Sequence, residues 1–166
     1  MLLEILNIKG CDDMERDKFY TVRGYQILSK KEKRLTPAME DYVEMIYRES
    51  LKSSYIRVNV LSELLNVKAP STTKMLQKLK ELGLVEYKKY GIINLTEKGK
   101  EMGKFLLERH SIIETFLKNL GVKEELLVQT ELIEHNISKD TLERIKLFNK
   151  FLSRNPDVVE RFKKMK

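Results

Sequence analysis

The chain has 166 residues, of which 42% are hydrophobic and 34% charged, and its formal net charge is +7. This length suits one compact unit or two small domains that share a core, and the apolar fraction is sufficient for a packed interior. No apolar stretch approaches the roughly 20 residues of a membrane span, so we expect no membrane segment. The positive charge favours a polyanionic partner, either nucleic acid or an anionic membrane surface.

The N-terminal segment and the cysteine content indicate where the protein works. Cys11 is the only cysteine, which excludes an intrachain disulfide and a thiolate metal cluster and fits a reducing cytoplasm. The opening apolar run is too short and too interrupted for a signal peptide, so we expect a cytoplasmic protein. Residues 1–34 are interpreted as an N-terminal extension, either poorly ordered or with a short strand near either end.

Three helices are predicted first after this extension. Thr36-Pro37, followed by acidic residues in the first turn, predicts a helix over 37–50. Apolar spacing predicts a short helix over about 59–65 and another over about 70–82. The last two helices are separated by a tight turn, which is the helix-turn-helix arrangement.

A hairpin and further helices are predicted in the remainder of the chain. Two β-prone runs, residues 84–87 and 92–95, predict a hairpin that forms a wing. Helices are then predicted from about residue 97 to 119 and over about 122–137, 138–152 and 156–164. The expected fold class is therefore mainly α, with an α+β winged helix-turn-helix head over residues 35–98 and an all-helical part over residues 99–166.

The outward face of the helix predicted over 70–82 is short, polar and basic. Such a helix can enter the major groove of DNA, with its N-terminal residues nearest the base edges and its lysines on phosphates. A single lysine is more often a solvated surface residue, and winged helices also occur in protein–protein modules. Between residues 66 and 104, however, nine lysines stand against four glutamates, which favours DNA. The predicted DNA-contacting residues are Pro70, Ser71, Thr72, Thr73, Lys74, Gln77 and Lys78, with Lys88 and Lys89 at the wing tip.

The two histidines of the chain, His110 and His135, both fall on predicted helices. His135 shares a helix face with Glu131 and Glu134, since spacings of three and four residues bring side chains together. The first predicted helix carries a similar pair of carboxylates three residues apart. Carboxylates and imidazole without sulfur suit manganese or ferrous iron. Spacing alone leaves open an ordinary acidic helix surface with an incidental histidine, because such glutamate pairs are common.

Five segments of the chain carry a resemblance to a known family. They are residues 36–44 (TPAMEDYVE), 70–79 (PSTTKMLQKL), 95–100 (LTEKGK), 109–110 (RH) and 131–135 (ELIEH). In this order they resemble the diphtheria-toxin-repressor family, and closely its manganese transport regulator branch. The resemblance implies a homodimer that binds a divalent metal as co-repressor and then binds double-stranded operator DNA near metal-uptake genes. It also implies that residues 35–98 bind DNA and that residues 99–166 bind metal and dimerise.

The resemblance also implies which residues bind the metal. Iron-responsive members have methionine where Asp41 stands and cysteine where Glu131 stands, so the carboxylates here imply Mn²⁺, with Fe²⁺ as the alternative metal. Without metal, the carboxylates would repel one another, and we expect a mobile head. Asn136 replaces a histidine common in the family, which leaves open whether one or two metals bind. The implied ligands are Asp41, Glu44, His110, Glu131, Glu134 and His135.

An enzyme is the main competing interpretation, because glutamate and histidine on helices also build di-iron oxidases. Those proteins need two Glu-x-x-His pairs, but leucine stands three residues before each histidine, at Leu107 and Leu132. No glycine-rich phosphate loop or Ser/His/Asp arrangement is apparent either, so we predict that the protein is not an enzyme. An iron-responsive repressor of the same family and a metal-independent winged-helix regulator remain as alternatives.

Overall fold

A computed structural model describes residues 35–53, 55–87 and 91–165. The expectations for residues 1–34 and for Lys88 and Lys89 lie outside these residues. The segment Pro37–Lys166 forms one compact unit. Its described elements are α1 (Pro37–Ser50), β1 (Ile56–Arg57), α2 (Val58–Leu64), α3 (Ala69–Glu81), β2 (Val85–Tyr87), β3 (Ile92–Leu95), α4 (Glu97–Asn119), α5 (Leu126–Glu134), α6 (Lys139–Arg154) and α7 (Pro156–Lys163).

The predicted fold class, a mainly helical chain with a winged helix-turn-helix, is confirmed. Helices α1, α2 and α3 pack with an antiparallel sheet whose strand order is β1-β3-β2. In the predicted hairpin, Val85 pairs with Leu95. Strand β1 was not predicted, because it is two residues long and exists only through the pairing of Ile56 with Ile93.

The helix-turn-helix is held together by apolar contacts and by a buried group of hydroxyls. Leu61 on α2 and Leu76 on α3 are both fully buried. The Ser62 hydroxyl donates a hydrogen bond to Thr72 Oγ1 at 2.9 Å, and the Tyr42 hydroxyl from α1 lies 3.3 Å from the same oxygen. Because buried polar groups are costly unless they are paired, this group fixes how the three helices pack.

Helix α4 approaches the head closely because two of its residues are glycines. Its N-cap is Thr96, whose side chain accepts a hydrogen bond from the amide of Gly99 at 3.0 Å. A Cβ atom on Gly99 would collide with the carbonyl oxygen of Leu84, and a Cβ atom on Gly103 would collide with the side chain of Tyr47 on α1. Gly103 therefore allows α4 to lie directly against α1, and Gly99 allows the first turn of α4 to lie against Leu84.

Helix α5 is shorter than predicted, since it spans Leu126–Glu134 rather than residues 122–137. The residue before it, Glu125, has φ +52°, and His135 is the C-cap rather than an internal helical residue. A left-handed residue interrupts helical hydrogen bonding, so the helix cannot extend back to Val122. The α5 register still places Glu131, Glu134 and His135 near one another.

A second apolar cluster joins α4, α6 and the region around α5. Its buried residues are Ile113, Leu117 and Leu142, and Ile133 of α5 packs against them. The outer face of α5 is exposed instead, since Leu132 retains 66% of its accessible surface. No helix in the described part of the chain has both the length and the apolar character needed to cross a membrane.

Candidate metal centre

The six residues predicted as metal ligands come together where α1, α4 and the end of α5 meet. They form two groups of three, and within each group one donor atom from every residue lies within 4.8 Å of the others. We call the buried set the inner group and the partly exposed set the outer group. The inner group is Glu44, His110 and Glu134, and the outer group is Asp41, Glu131 and His135.

The inner group contains buried polar atoms that face one another but make no hydrogen bond within the described residues. His110 Nδ1 lies 3.1 Å from Glu134 Oε2 and 4.0 Å from Glu44 Oε1. Both His110 Nδ1 and Glu134 Oε2 are buried, and neither makes a hydrogen bond in the described part of the chain. A buried polar atom without a partner costs free energy. A divalent cation among these atoms would satisfy both, so the inner group fits a metal.

The outer group lies next to the inner group and is reached by solvent. His135 Nε2 is 2.9 Å from Asp41 Oδ1 and 4.0 Å from Glu131 Oε2. The other oxygen of the Glu131 carboxylate, Oε1, is 3.4 Å from His110 Nδ1, so this carboxylate faces both groups. The side chains of Asp41 and Glu131 are 40% and 44% exposed. The outer group is therefore the more accessible of the two.

The donor atoms of both groups suit a hard or borderline divalent cation. Each group offers two carboxylates and one imidazole, and neither offers sulfur. Oxygen-rich sites of this kind match Mn²⁺ or Fe²⁺ better than copper or structural zinc. The residues present therefore fit the metals that the sequence predicts.

The carboxylates around the two histidines raise the pKa of both rings. The hydrogen bonds to Asp41 and then to Glu40 raise the pKa of His135 to about 9, against the opposing effect of burial. Contact with the Glu134 carboxylate raises the pKa of His110 above its ordinary value, also against burial. A nitrogen that coordinates a metal must first lose its proton, so metal binding at these groups would release protons.

Three residues that the sequence analysis left without a role also contact the site. Arg48 Nε donates to Glu44 Oε1 at 2.9 Å, and the two terminal nitrogens of Arg109 donate to Glu40 Oε2 and Glu134 Oε1 at 2.9 and 3.3 Å. Two guanidinium groups thus offset part of the carboxylate charge, but burial and then repulsion from Glu134 still raise the pKa of Glu131. The sequence signal that could have indicated Glu40 and Arg109 is their place in the family-like segments, TPAMEDYVE for Glu40 and RH for Arg109.

The predicted DNA-contacting face is presented on the outside of α3. Five of the predicted residues on this helix are exposed, namely Pro70, Ser71, Lys74, Gln77 and Lys78. Thr73 is partly buried, and its hydroxyl donates a hydrogen bond to the carbonyl of Ala69 at 3.0 Å.

The prediction that Thr72 contacts DNA is wrong. Its side chain is fully buried, and its oxygen is engaged by Ser62 and Tyr42. Thr72 therefore fixes the position of α3 from inside the head and has no surface to offer DNA.

A winged helix-turn-helix whose first helix carries part of a carboxylate–histidine cluster defines a class of protein, the metal-responsive DNA-binding regulators. The family described as iron dependent repressor matches the chain twice. Its N-terminal DNA binding domain matches residues 34–93, and its metal binding and dimerisation domain matches residues 96–163. The chain belongs to this family and is a metal-dependent, DNA-binding transcriptional repressor.

Relatives within the family agree with this assignment. The HTH-type transcriptional regulator MntR of Lysinibacillus sphaericus (strain C3-41) is 40% identical over 132 residues, which are 79% of this chain and 95% of that protein. The structure of the manganese regulator SloR is similar with a TM-score of 0.62 at 33% identity, over 70% of this chain and 55% of that chain. A manganese-dependent transcriptional repressor in complex with manganese gives a TM-score of 0.58 at 28% identity, over 68% and 52%. This chain thus spans about half the length of these two solved proteins.

Proposed function

We propose that this protein is a Mn²⁺-dependent repressor that binds operator DNA near metal-uptake genes as a homodimer in the cytoplasm, and that it is not an enzyme. The observation that carries the proposal is the pair of carboxylate–histidine groups at the junction of α1, α4 and α5. The inner group contains buried His110 Nδ1 and Glu134 Oε2 atoms that lack hydrogen bonds. Buried polar atoms need partners, and a divalent cation would supply one to both. Fe²⁺ is the alternative metal.

Titration of the gene's own upstream DNA in a mobility-shift assay tests this function. We expect a retarded complex with Mn²⁺ and only weak, salt-sensitive binding in chelator. Parallel titrations with Fe²⁺ and Zn²⁺ rank the metals. Equal operator affinity in Mn²⁺ and in chelator would show that the regulator works without metal.

The six ligands link the DNA-binding helices to the rest of the chain. Asp41 and Glu44 lie on α1 of the head, whereas His110 lies on α4 and Glu134 at the end of α5. A bound divalent cation would supply positive charge among these carboxylates, which already lie together in the structure. The ligand side chains then fix α1 against α4 and α5, which sets the spacing of the two α3 helices in a dimer. Half-sites one turn of DNA apart require a spacing of about 34–36 Å, or a multiple of it.

The exposed face of α5 supports the homodimer. Leu127, Val128 and Leu132 retain 59%, 51% and 66% of their accessible surface, and Phe151 on α6 retains 51%. Large apolar side chains exposed to this degree are typical of a protein–protein interface. Because α5 also carries Glu131 and Glu134, this surface would join the metal centres of the two copies to the dimer axis.

Removing Lys74 or Lys78 is expected to weaken DNA binding for all sequences alike. Both lysines are exposed on α3, and a lysine on a phosphate contributes affinity without reading bases. Each alanine substitution should reduce the slope of log affinity against log salt by about one unit per lost contact. Filter binding of operator and random DNA at several salt concentrations measures this, with Lys139→Ala on α6 as the control. Unchanged slopes in both variants would place the DNA surface elsewhere.

Replacing Asp41 by methionine together with Glu131 by cysteine is expected to change the metal ranking. Sulfur donors favour iron and later transition metals over Mn²⁺. The double variant should gain a response to Fe²⁺, Co²⁺ or Zn²⁺ in the operator assay and lose response to Mn²⁺. Asp140→Met with Glu143→Cys, the same two substitutions at exposed positions on α6, is the control. An unchanged ranking in the Asp41/Glu131 variant would refute this explanation of selectivity.

A further inference from the structure

Glu40 and Arg109 lie directly behind the outer group without belonging to it. Glu40 Oε2 accepts hydrogen bonds from Arg109 and from His135 Nδ1, both at 2.9 Å. The two residues are 9% and 5% exposed. Glu40 is therefore a buried carboxylate that pairs with both Arg109 and His135.

Stability is a weak explanation for this buried ion pair. Replacing a buried salt bridge by apolar side chains is often neutral or stabilising, so such a pair needs a further reason to be kept. Here the same carboxylate oxygen contacts both the guanidinium and a ring nitrogen of His135. Arg109 also reaches Glu134 Oε1 at 3.3 Å. The pair thus contacts one member of the outer group and one member of the inner group.

The contact with Glu40 distinguishes the two nitrogens of the His135 ring. With Nδ1 donating to Glu40, Nε2 is directed at Asp41 Oδ1, 2.9 Å away, and at Glu131. The partner of one ring nitrogen decides which nitrogen is free to bind a metal. A carboxylate partner also increases the basicity of the imidazole and fixes the ring orientation.

We propose that Glu40 and Arg109 are positioning residues for the metal centre. Glu40 holds the proton of His135 on Nδ1 and thereby presents Nε2 to the metal, and Arg109 holds Glu40 and Glu134 in the orientations that this requires. The inference rests on the proposed function, because it requires His135 and Glu134 to be ligands. Glu40 comes from the head and Arg109 from α4, so the same contacts also align α1 with α4.

The experiment measures Mn²⁺ affinity of the folded protein by electron paramagnetic resonance, independently of DNA binding. Glu40→Gln keeps the shape of the side chain but removes its charge, and it is expected to lower the affinity by about 10-fold or more. Glu49→Gln on the same helix, where the carboxylate pairs with Lys52 at 2.6 Å, is the matched control and should change nothing. Thermal unfolding of the metal-free variants gives their stability. A purely structural role predicts lower stability of Glu40→Gln with unchanged Mn²⁺ affinity, and that result overturns the proposal.

A double-mutant cycle tests whether Glu40 acts through His135. In a His135→Ala background the Glu40→Gln substitution is expected to have no further effect on Mn²⁺ affinity, since the ring that it orients is gone. An equal loss in both backgrounds would mean that only the charge of Glu40 matters, and the positioning role would be wrong.

Arg109→Lys provides a second variant in case Glu40→Gln does not fold. It keeps the charge but loses the planar guanidinium that reaches Glu40 and Glu134 together, so the affinity should again fall. Wild-type affinity in a folded Arg109→Lys protein would overturn the role of Arg109.

The Glu134→Gln variant separates this inference from the proposed function. If Glu134→Gln loses Mn²⁺ and Glu40→Gln does not, only the positioning role fails. If neither substitution affects Mn²⁺ affinity, the metal centre itself has been misassigned and the inference fails with it.

Discussion

Replacing Glu134 by glutamine is expected to abolish Mn²⁺-stimulated operator binding while leaving a folded dimer. Glu134 is the most deeply buried of the six proposed ligands, with 1% of its surface exposed. Its Oε2 lies 3.1 Å from His110 Nδ1 and its Oε1 lies 3.9 Å from His135 Nε2, so one carboxylate faces both groups. Loss of a supporting residue around a metal typically costs 10–100-fold in affinity, and loss of a shared ligand should cost more than about 100-fold.

Two measurements check this prediction. Mobility shifts with and without Mn²⁺ should show the variant binding operator only weakly and with strong salt dependence under both conditions. Glu114→Gln on α4 is the control and should behave as wild type. The Glu114 carboxylate pairs with Lys118 at 2.9 Å and does not belong to the metal centre. Full Mn²⁺ stimulation in Glu134→Gln would rule out this residue as a ligand and would leave Glu131 as the carboxylate that faces both groups.

Thermodynamic linkage limits how strongly Mn²⁺ can stimulate operator binding. Metal can strengthen DNA binding only by the factor by which it prefers the DNA-competent arrangement of α1, α4 and α5 over other arrangements. Arg48 and Arg109 already contact Glu44 and Glu134 in this arrangement. Part of the charge repulsion is therefore offset without metal, so the two guanidinium groups reduce how far the metal-free head departs from the arrangement seen here.

Replacing Gly103 by alanine is expected to destabilise the protein and to weaken metal binding together. In an ordinary helix position this change is stabilising by roughly 1 kcal/mol. Here the new Cβ would collide with the side chain of Tyr47 on α1, and overpacking of this kind typically costs about 1–3 kcal/mol. Tyr47 lies one helical turn after Glu44, so moving α1 away from α4 would also separate Glu44 from His110.

Thermal unfolding of the metal-free protein and Mn²⁺ titration measure the two effects. Lys104→Ala changes the neighbouring exposed position and should leave both quantities within experimental error. A Gly103→Ala protein with raised stability and wild-type Mn²⁺ affinity would show that the close approach of α1 and α4 is not needed for the metal centre.

The sequence predicted those elements whose signals are local. The N-cap and proline at Thr36-Pro37 gave α1 its observed start, and the β-prone runs around Gly91 gave the hairpin. The six proposed ligands were also found from the sequence, because the resemblance assigns them by position in the motif. Helical spacing then placed Glu131, Glu134 and His135 near one another, although spacing alone did not distinguish a metal site from an acidic surface.

Only the tertiary structure decided which residues face one another across the fold. It buried Thr72 among hydroxyls from α1 and α2, paired β1 with β3, and limited α5 at Glu125. It also divided the six ligands into two groups and placed Glu40 and Arg109 behind them. Periodicity in a sequence reports the face of one helix, whereas these contacts depend on how closely separate helices approach. For α1 and α4, that close approach requires the absence of a side chain at Gly103.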